Sequence, residues 1–133
     1  MREYITFDDV LIKPKFSTIS SRKEVDLGSK LGNVTVRLPI LSANMDTVTG
    51  ENMAAEMSDQ GCLGVLHRFW DIKEQSKIYR NLIGQGCIVP CSVGLGDYEL
   101  ERASKMFDLG CTILVIDVAH GAQLQVAEQY KRI

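Results

Sequence analysis

Two textures of apolar residues alternate along the chain after residue 37. One is the dense run: LPILSA at 38–43, LGVLH at 63–67, IVPCSVG at 88–94 and TILVIDVA at 112–119. Continuous apolar runs of this length predict strands buried on both faces, the pattern of a parallel sheet covered by helices. The other is the spaced run. ENMAAEMSDQ at 51–60 puts Met53, Ala54 and Met57 on one side. DIKEQSKIYRNLI at 71–83 opens on Asp71 as an N-cap and gathers Ile72, Ile78, Leu82 and Ile83 near one stripe. DYELERASKMFDL at 97–109, again opening on an aspartate, repeats Leu100, Ala103, Met106 and Phe107. Such spacing predicts amphipathic helices, and each stretch stops at a glycine, at Gly61, Gly84 and Gly110. A fourth helix is expected from Gln123 to Lys131 or beyond.

Gly-Cys pairs mark the period. Gly61-Cys62, Gly86-Cys87 and Gly110-Cys111 each stand between a predicted helix and a predicted strand, with the glycines 25 and 24 residues apart. One period is therefore one helix plus one strand, and residues 38–133 read as four strand-helix units of an α/β fold. Pro90 is awkward inside a central strand and blurs the limits of the third run. Residues 1–37 are different in kind: Pro14, a Ser/Thr cluster at 17–21, and two short β-like stretches, 24–27 and 34–38, joined through Gly28 and Gly32-Asn33. They predict a hairpin, a flap able to plug one end of a sheet or barrel.

Composition narrows the function classes. The 133 residues are 45% hydrophobic and 24% charged, with formal net charge −2 from 15 Lys and Arg against 17 Asp and Glu. The mixture offers no basic face, so neither nucleic acid nor an anionic membrane is an expected partner. MREYITFDDV carries acidic residues where a signal peptide needs its apolar core, and the expectation is a cytoplasmic protein. Cys62, Cys87, Cys91 and Cys111 adjoin apolar segments and read as reduced core thiols; Cys87 and Cys91 lack a second ligand pair to complete a zinc site.

In parallel α/β folds, ligands meet the loops at the C-terminal ends of the strands. Here those ends carry Asn44, Asp46 and Thr47, then His67 and Arg68, then Ser92 and Asp97, then Asp117 and His120. Loops are polar in any protein, so a bland reading stands beside the functional one. His67 fits a ligand contact or a core histidine satisfied by backbone, and Asp46 fits a site or a helix cap. Gly94-Leu95-Gly96 starts a dinucleotide fingerprint, but Glu99 occupies its third glycine position, which favours a simple turn. Asp117 stands apart: a carboxylate in an apolar strand is costly unless it is paired, hydrogen-bonded or facing a ligand.

Four ordered segments, ITFDDVLIKP (5–14), LPILSANMDTVT (38–49), GVLHRF (64–69) and ILVIDVAHG (113–121), resemble the N-terminal half of the inosine monophosphate dehydrogenase and guanosine monophosphate reductase family. The resemblance implies the first four βα units of a TIM (β/α)8 barrel over 38–133, behind a hairpin extension at 1–37. It implies a purine 5′-monophosphate and a nicotinamide cofactor across the C-terminal rim. Asn44, Met45 and Asp46 would lie beside the nucleotide, Asp117 would approach the cofactor's ribose and nicotinamide side with Val118 and Ala119 beneath it, and His67 and Arg68 would flank the cofactor. The chain passes from its second helix to its third strand without the CBS insertion typical of the dehydrogenases. That continuity, the HRF triplet and DVAHG favour the reductase branch, in which NADPH hydride and loss of ammonia turn the guanine nucleotide into the hypoxanthine one. The alternative is a dehydrogenase without the insertion, using NAD, or a non-catalytic half-barrel that binds nucleotide or serves assembly.

Within the family the nucleophilic cysteine follows the sixth strand and the phosphate sits in glycine-rich loops further on. None of the four cysteines here has that context, so no catalytic residue is assigned. Four units of about 25 residues are half of the roughly 200 to 250 that a barrel needs. The 133-residue chain is expected to be inactive alone, to bind nucleotide weakly or not at all, and to self-associate through open strand edges as a homo-oligomer.

Overall fold

A computed structural model of the chain describes residues 4–133. The elements after the N-terminal segment run β1 (Ser29–Leu31), β2 (Val34–Val36), β3 (Leu41–Ser42), α1 (Glu51–Asp59), β4 (Leu63–Gly64), α2 (Ile72–Gly84), β5 (Cys91–Val93), α3 (Asp97–Asp108), β6 (Leu114–Ile116) and α4 (Leu124–Arg132). Strand and helix alternate from β3 onward, as the two textures predict. The strands are shorter than the apolar runs.

β3 pairs with β4 and β5 with β6, both in parallel, and a bridge between Leu66 and Cys91 joins the two pairs. Four parallel strands therefore lie side by side in sequence order. Pro90 fits this arrangement because it stands just before β5: its carbonyl accepts from Leu66 N at 2.9 Å, and the first ladder donor is Cys91 N, bonded to Ile113 O at 3.1 Å. A proline at the edge of a strand forfeits no ladder bond. Helices α1, α2 and α3 pack on the strands over a core of Ala54, Leu66, Ile78, Tyr79, Leu82, Val89, Cys91, Met106 and Cys111. Gly64 lets α1 approach closely, for a Cβ there would stand 2.5 Å from Ala54 Cα. β6 is half-buried along its length rather than buried on both faces, because only β5 covers an edge of it.

The Gly-Cys repeat has a single physical cause. After α1, Cys62 N donates to Met57 O and Gly61 N to Ser58 O; after α2, Cys87 N donates to Leu82 O and Gly86 N to Ile83 O; after α3, Cys111 N donates to Met106 O and Gly110 N to Phe107 O. Each is the paired bonding of a Schellman cap, with glycine left-handed at φ 72°, 83° and 88°. The cysteine is the next residue, and its N–H closes the longer bond of the cap. For α2 the sequence points to Gly84 as the stop, whereas Gly84 is the last helical residue and Gly86 makes the turn. Asp71 caps α2 through its side chain on Glu74 N at 2.7 Å. Asp97 does not cap α3: Gly96 is the N-cap, and the Asp97 carboxylate instead pairs with Arg132 of α4.

The hairpin forms around Gly32-Asn33 with its second strand as predicted, but its first strand lies nearer the turn than the sequence suggests. Residues 24–27 are not a strand. Ser21 Oγ accepts from Lys23 N and starts a single 3₁₀ turn at Arg22–Glu24, and Asp26 Oδ1 accepts from Gly28 N at 2.8 Å. The turn takes Glu24 out of extended geometry, while Val25 stays extended but has no strand partner. β1 and β2 then pair in register Ser29↔Val36 to Leu31↔Val34 around Gly32-Asn33, with Gly32 at φ 58°. The exit of β2 is tied to the α1 cap by Arg37 N and Leu38 N, both donating to Gly61 O. A cleft of about 900 Å³ separates the hairpin turn from Thr112–Leu114 and Tyr130. Residues 4–33 are exposed throughout, and Phe7, Leu11, Ile12 and Phe16 are each at least 95% exposed.

Candidate functional site

Of the polar residues predicted at the C-terminal ends of the strands, two meet directly. Arg68, four residues beyond β4, donates from Nε to Asp117 Oδ2 at 3.1 Å. Asp117 follows β6 immediately and is anchored by its own N–H, which donates to Val93 O at 2.7 Å. The carboxylate thus has the partner its apolar run requires, supplied from 49 residues away. Both side chains keep close to 30% exposure, so the pair faces the rim rather than the core. The Arg68 guanidinium also lies 5.4 Å from the centroid of the Phe69 ring.

His67 is 3% exposed. Its Nδ1 accepts from Phe69 N at 3.2 Å, which leaves the proton of the neutral ring on Nε2, and the imidazole stacks against Trp70 with centroids 3.6 Å apart. Burial pushes its pKa below the ordinary histidine value, and the nearby Asp46 charge opposes the shift without cancelling it. Desolvation wins because the ring sits in an aromatic and backbone setting. Asp46 is the neighbouring carboxylate that sequence proximity did not reveal. It does not cap α1, whose N-cap is Gly50.

Asn44 is half-buried, while Met45 and Asp46 are exposed in the β3–α1 loop. The loop is held by its own bonds: Val48 N and Thr49 N both donate to Met45 O, and Thr49 Oγ1 donates to Ala43 O. Val118 is half-buried and Ala119 exposed just beyond Asp117. Ser92 is fully buried and donates from Oγ to Leu66 O at 2.7 Å, a structural tie between β4 and β5.

Glu99, which breaks the glycine fingerprint, explains why the turn after β5 is not a phosphate cradle. Its Oε2 accepts from Gly94 N at 2.6 Å, so a carboxylate of the chain itself occupies the donor that a phosphate would use. The same oxygen accepts from Arg102 Nε at 3.0 Å, and both residues are buried. Sequence reasoning passed over Gln75 and Arg102, which lie at apolar-stripe positions of α2 and α3. A long polar residue on the buried face of a helix was the signal to follow.

The cysteines stand away from this rim. Cys62, Cys87 and Cys111 are the helix-cap residues at the opposite end of the strands; Cys91 opens β5 and is fully buried. The Cys111 thiol beside Cys91, together with burial, pushes Cys91 far above the usual thiol range. Among the described residues no three His, Cys, Asp or Glu side chains gather as metal ligands, and no helix is long and apolar enough to cross a membrane.

The chain matches the family described as "IMP dehydrogenase / GMP reductase domain" over residues 4–133. It is 51% identical over 76 residues to inosine-5′-monophosphate dehydrogenase of Nitrosopumilus maritimus, a stretch covering 56% of this chain and 16% of that protein. It is 32% identical over 127 residues to GMP reductase of Streptococcus agalactiae, covering 96% of this chain and 38% of the reductase. Its fold superposes on the solved structure of inosine 5′-monophosphate dehydrogenase from Legionella pneumophila with a TM-score of 0.82 and 40% identity, over 96% of this chain and 39% of that one. The matches therefore cover well under half the length of each of those three proteins, and the α/β fold is that of a TIM-barrel family. With that match across all the described residues, the chain belongs to the IMP dehydrogenase / GMP reductase family.

Proposed function

We propose that this chain supplies the first part of the rim of a nicotinamide-dependent purine nucleotide oxidoreductase, with the cofactor lying over Asp117 and Arg68. The pairing of these two residues at the C-terminal ends of β4 and β6 carries the reading. A half-exposed carboxylate pre-oriented by a guanidinium is an acceptor suited to ribose hydroxyls, and His67, neutral and packed on Trp70, gives the neighbouring wall an uncharged aromatic character. The sequential order of β3, β4, β5 and β6 supports their assignment as the first four βα units of a (β/α)8 barrel, with residues 1–37 as a separate hairpin extension. Asn44, Met45 and Asp46 then take the nucleotide side.

Within that class we favour the GMP reductase reaction with NADPH. The continuous passage from α2 through the Gly86-Cys87 cap into β5 and the His67-Arg68-Phe69 triplet support it. A second reading, the NAD-dependent oxidation of IMP, has its own support in the 40% identity to the Legionella dehydrogenase over 96% of this chain, against 32% for the reductase. The chain's own residues bind and orient in either case. None of the four cysteines present is assigned the covalent step, for all are helix-cap or core thiols.

The test is complementation. The chain is mixed with the C-terminal remainder of a family member and assayed for NADPH consumption with GMP and for NAD reduction with IMP. Turnover of GMP in the mixture and in neither part alone is the expected result. Turnover of IMP alone would carry the second reading, and a folded, stoichiometric complex inert to both would overturn the class.

The apolar side chains of residues 4–16 and the open outer edges of β3 and β6 support self-association when no such remainder is present. Light scattering on the 14.8 kDa chain tests this, and a monodisperse monomer at high concentration would contradict it.

A further inference from the structure

A buried polar cluster under the rim is larger than packing demands. Arg102 is 2% exposed and Gln75 is fully buried. Arg102 donates from Nε to Glu99, from Nη1 to Gln75 Oε1 at 2.9 Å, and from Nη2 to Trp70 O at 3.0 Å. Gln75 Nε2 in turn donates to His67 O at 3.1 Å and to Ser92 O at 3.2 Å. The side-chain bonds that leave the cluster end on backbone at the two rim loops and the strand between them: His67 and Trp70 after β4, Ser92 within β5 and Gly94 after it.

Arg68 lies between the two β4-loop carbonyls that are held. Its guanidinium rests on Gly94, where a Cβ would lie 3.1 Å from Arg68 Nη1, 3.2 Å from Arg68 Cζ and 3.2 Å from Glu99 Cγ. The space a side chain at Gly94 would need is thus taken by the Glu99 stem and the Arg68 head. Stability alone is a poor reason for such a cluster, because a buried ion pair replaced by apolar residues of similar volume is often neutral or better.

We propose that Arg102 is a positioning residue: acting through Glu99 and Gln75, it fixes the two rim loops so that Arg68 meets Asp117. Arg102 touches neither member of the pair. It sets the seat, Gly94, and both ends of the backbone from which Arg68 projects. The proposal concerns the geometry of the pair and stands whether or not the complementation assay supports the proposed reaction.

The experiment is side-chain NMR of the 133-residue chain, following exchange of the Arg68 Nε–H with solvent. Asp117→Asn defines the signal of an Arg68 whose partner has been weakened. Glu99→Gln keeps the shape of the side chain but removes the charge that bonds Gly94 N and Arg102 together. The double variant Glu99→Met with Arg102→Met replaces the buried pair by apolar volume and keeps a folded chain available if the single change unfolds it. In whichever of these is folded by its amide spectrum, the Arg68 Nε–H should exchange about tenfold faster than in the parent, approaching the Asp117→Asn rate. Gly94→Ala should do the same while leaving the Arg102 Nε–H protected. An unchanged Arg68 Nε–H in the folded Glu99 or double variants would overturn the proposal and leave the cluster a purely structural tie, whatever Gly94→Ala does.

Discussion

Arg68 and Asp117, 49 residues apart, meet at 3.1 Å across the C-terminal ends of β4 and β6, and the strand between them, β5, supplies the Val93 carbonyl that anchors Asp117. The contact spans three adjacent strands, so it reports the register of the whole parallel set. A double-mutant cycle on Arg68→Met and Asp117→Asn by urea denaturation should return a coupling of about 0.2–1 kcal/mol, the range for ion pairs still reached by solvent. A coupling of zero would mean that the pair adds nothing to folding stability.

His67 should make folding weaken as pH falls. Its folded pKa lies below the unfolded value, so between the two the unfolded chain binds the proton and the folded chain does not. Stability is full above the ordinary histidine value near 6.5 and declines as pH drops through and below it. Denaturation midpoints measured from pH 7.5 downward should show this decline. His67→Asn, which keeps an acceptor for Phe69 N, should flatten it, and an unchanged pH profile in that variant would assign the effect to other groups.

The glycines at the helix ends are not equivalent. Gly110 is left-handed at φ 88°, and Gly110→Ala should cost about 1–2 kcal/mol of folding stability. Gly84 closes α2 with a helical backbone and open space around its α-carbon, and Gly84→Ala should stabilise by about 0.5–1 kcal/mol. Thermal denaturation of the two variants should therefore shift in opposite directions.

Thiol accessibility should follow burial. Cys87 is half-buried and should react first with an alkylating reagent under native conditions, while Cys62, Cys91 and Cys111 should react only at the rate of opening. Peptide mapping after timed labelling gives the order; early labelling of Cys91 would contradict the core assignment.

The alternation of β3 to β6 with α1 to α4 was legible because it depends on periodicity, and each run was long enough to show it. The Gly-Cys repeat points to the unit before its cause is visible, the cause being a cap whose two bonds reach back three and five residues along the chain. Strand β1 differs from the sequence expectation because Ser21 starts a 3₁₀ turn through Glu24, and the ladder opposite Val34–Val36 reaches only Ser29–Leu31, although 24–27 reads as extended by composition. At the site, Asp117 was conspicuous as a carboxylate in an apolar strand. Its partnership with Arg68, the nearness of Asp46 to His67 and the seating of Arg68 on Gly94 were not, since each joins residues from different βα units that only the sheet brings together. Glu99 and Arg102 were hidden in plain helical positions, where charge ordinarily signals solvent.

The most direct measurement is the steady-state kinetics of the complemented enzyme with Asp117→Asn in this chain. If Asp117 serves the nicotinamide cofactor, KM for NADPH should rise about tenfold or more, the effect of weakening a charged hydrogen bond, with KM for GMP nearly unchanged. An unchanged KM for NADPH, or a loss confined to GMP, would contradict the placement of the cofactor over Asp117.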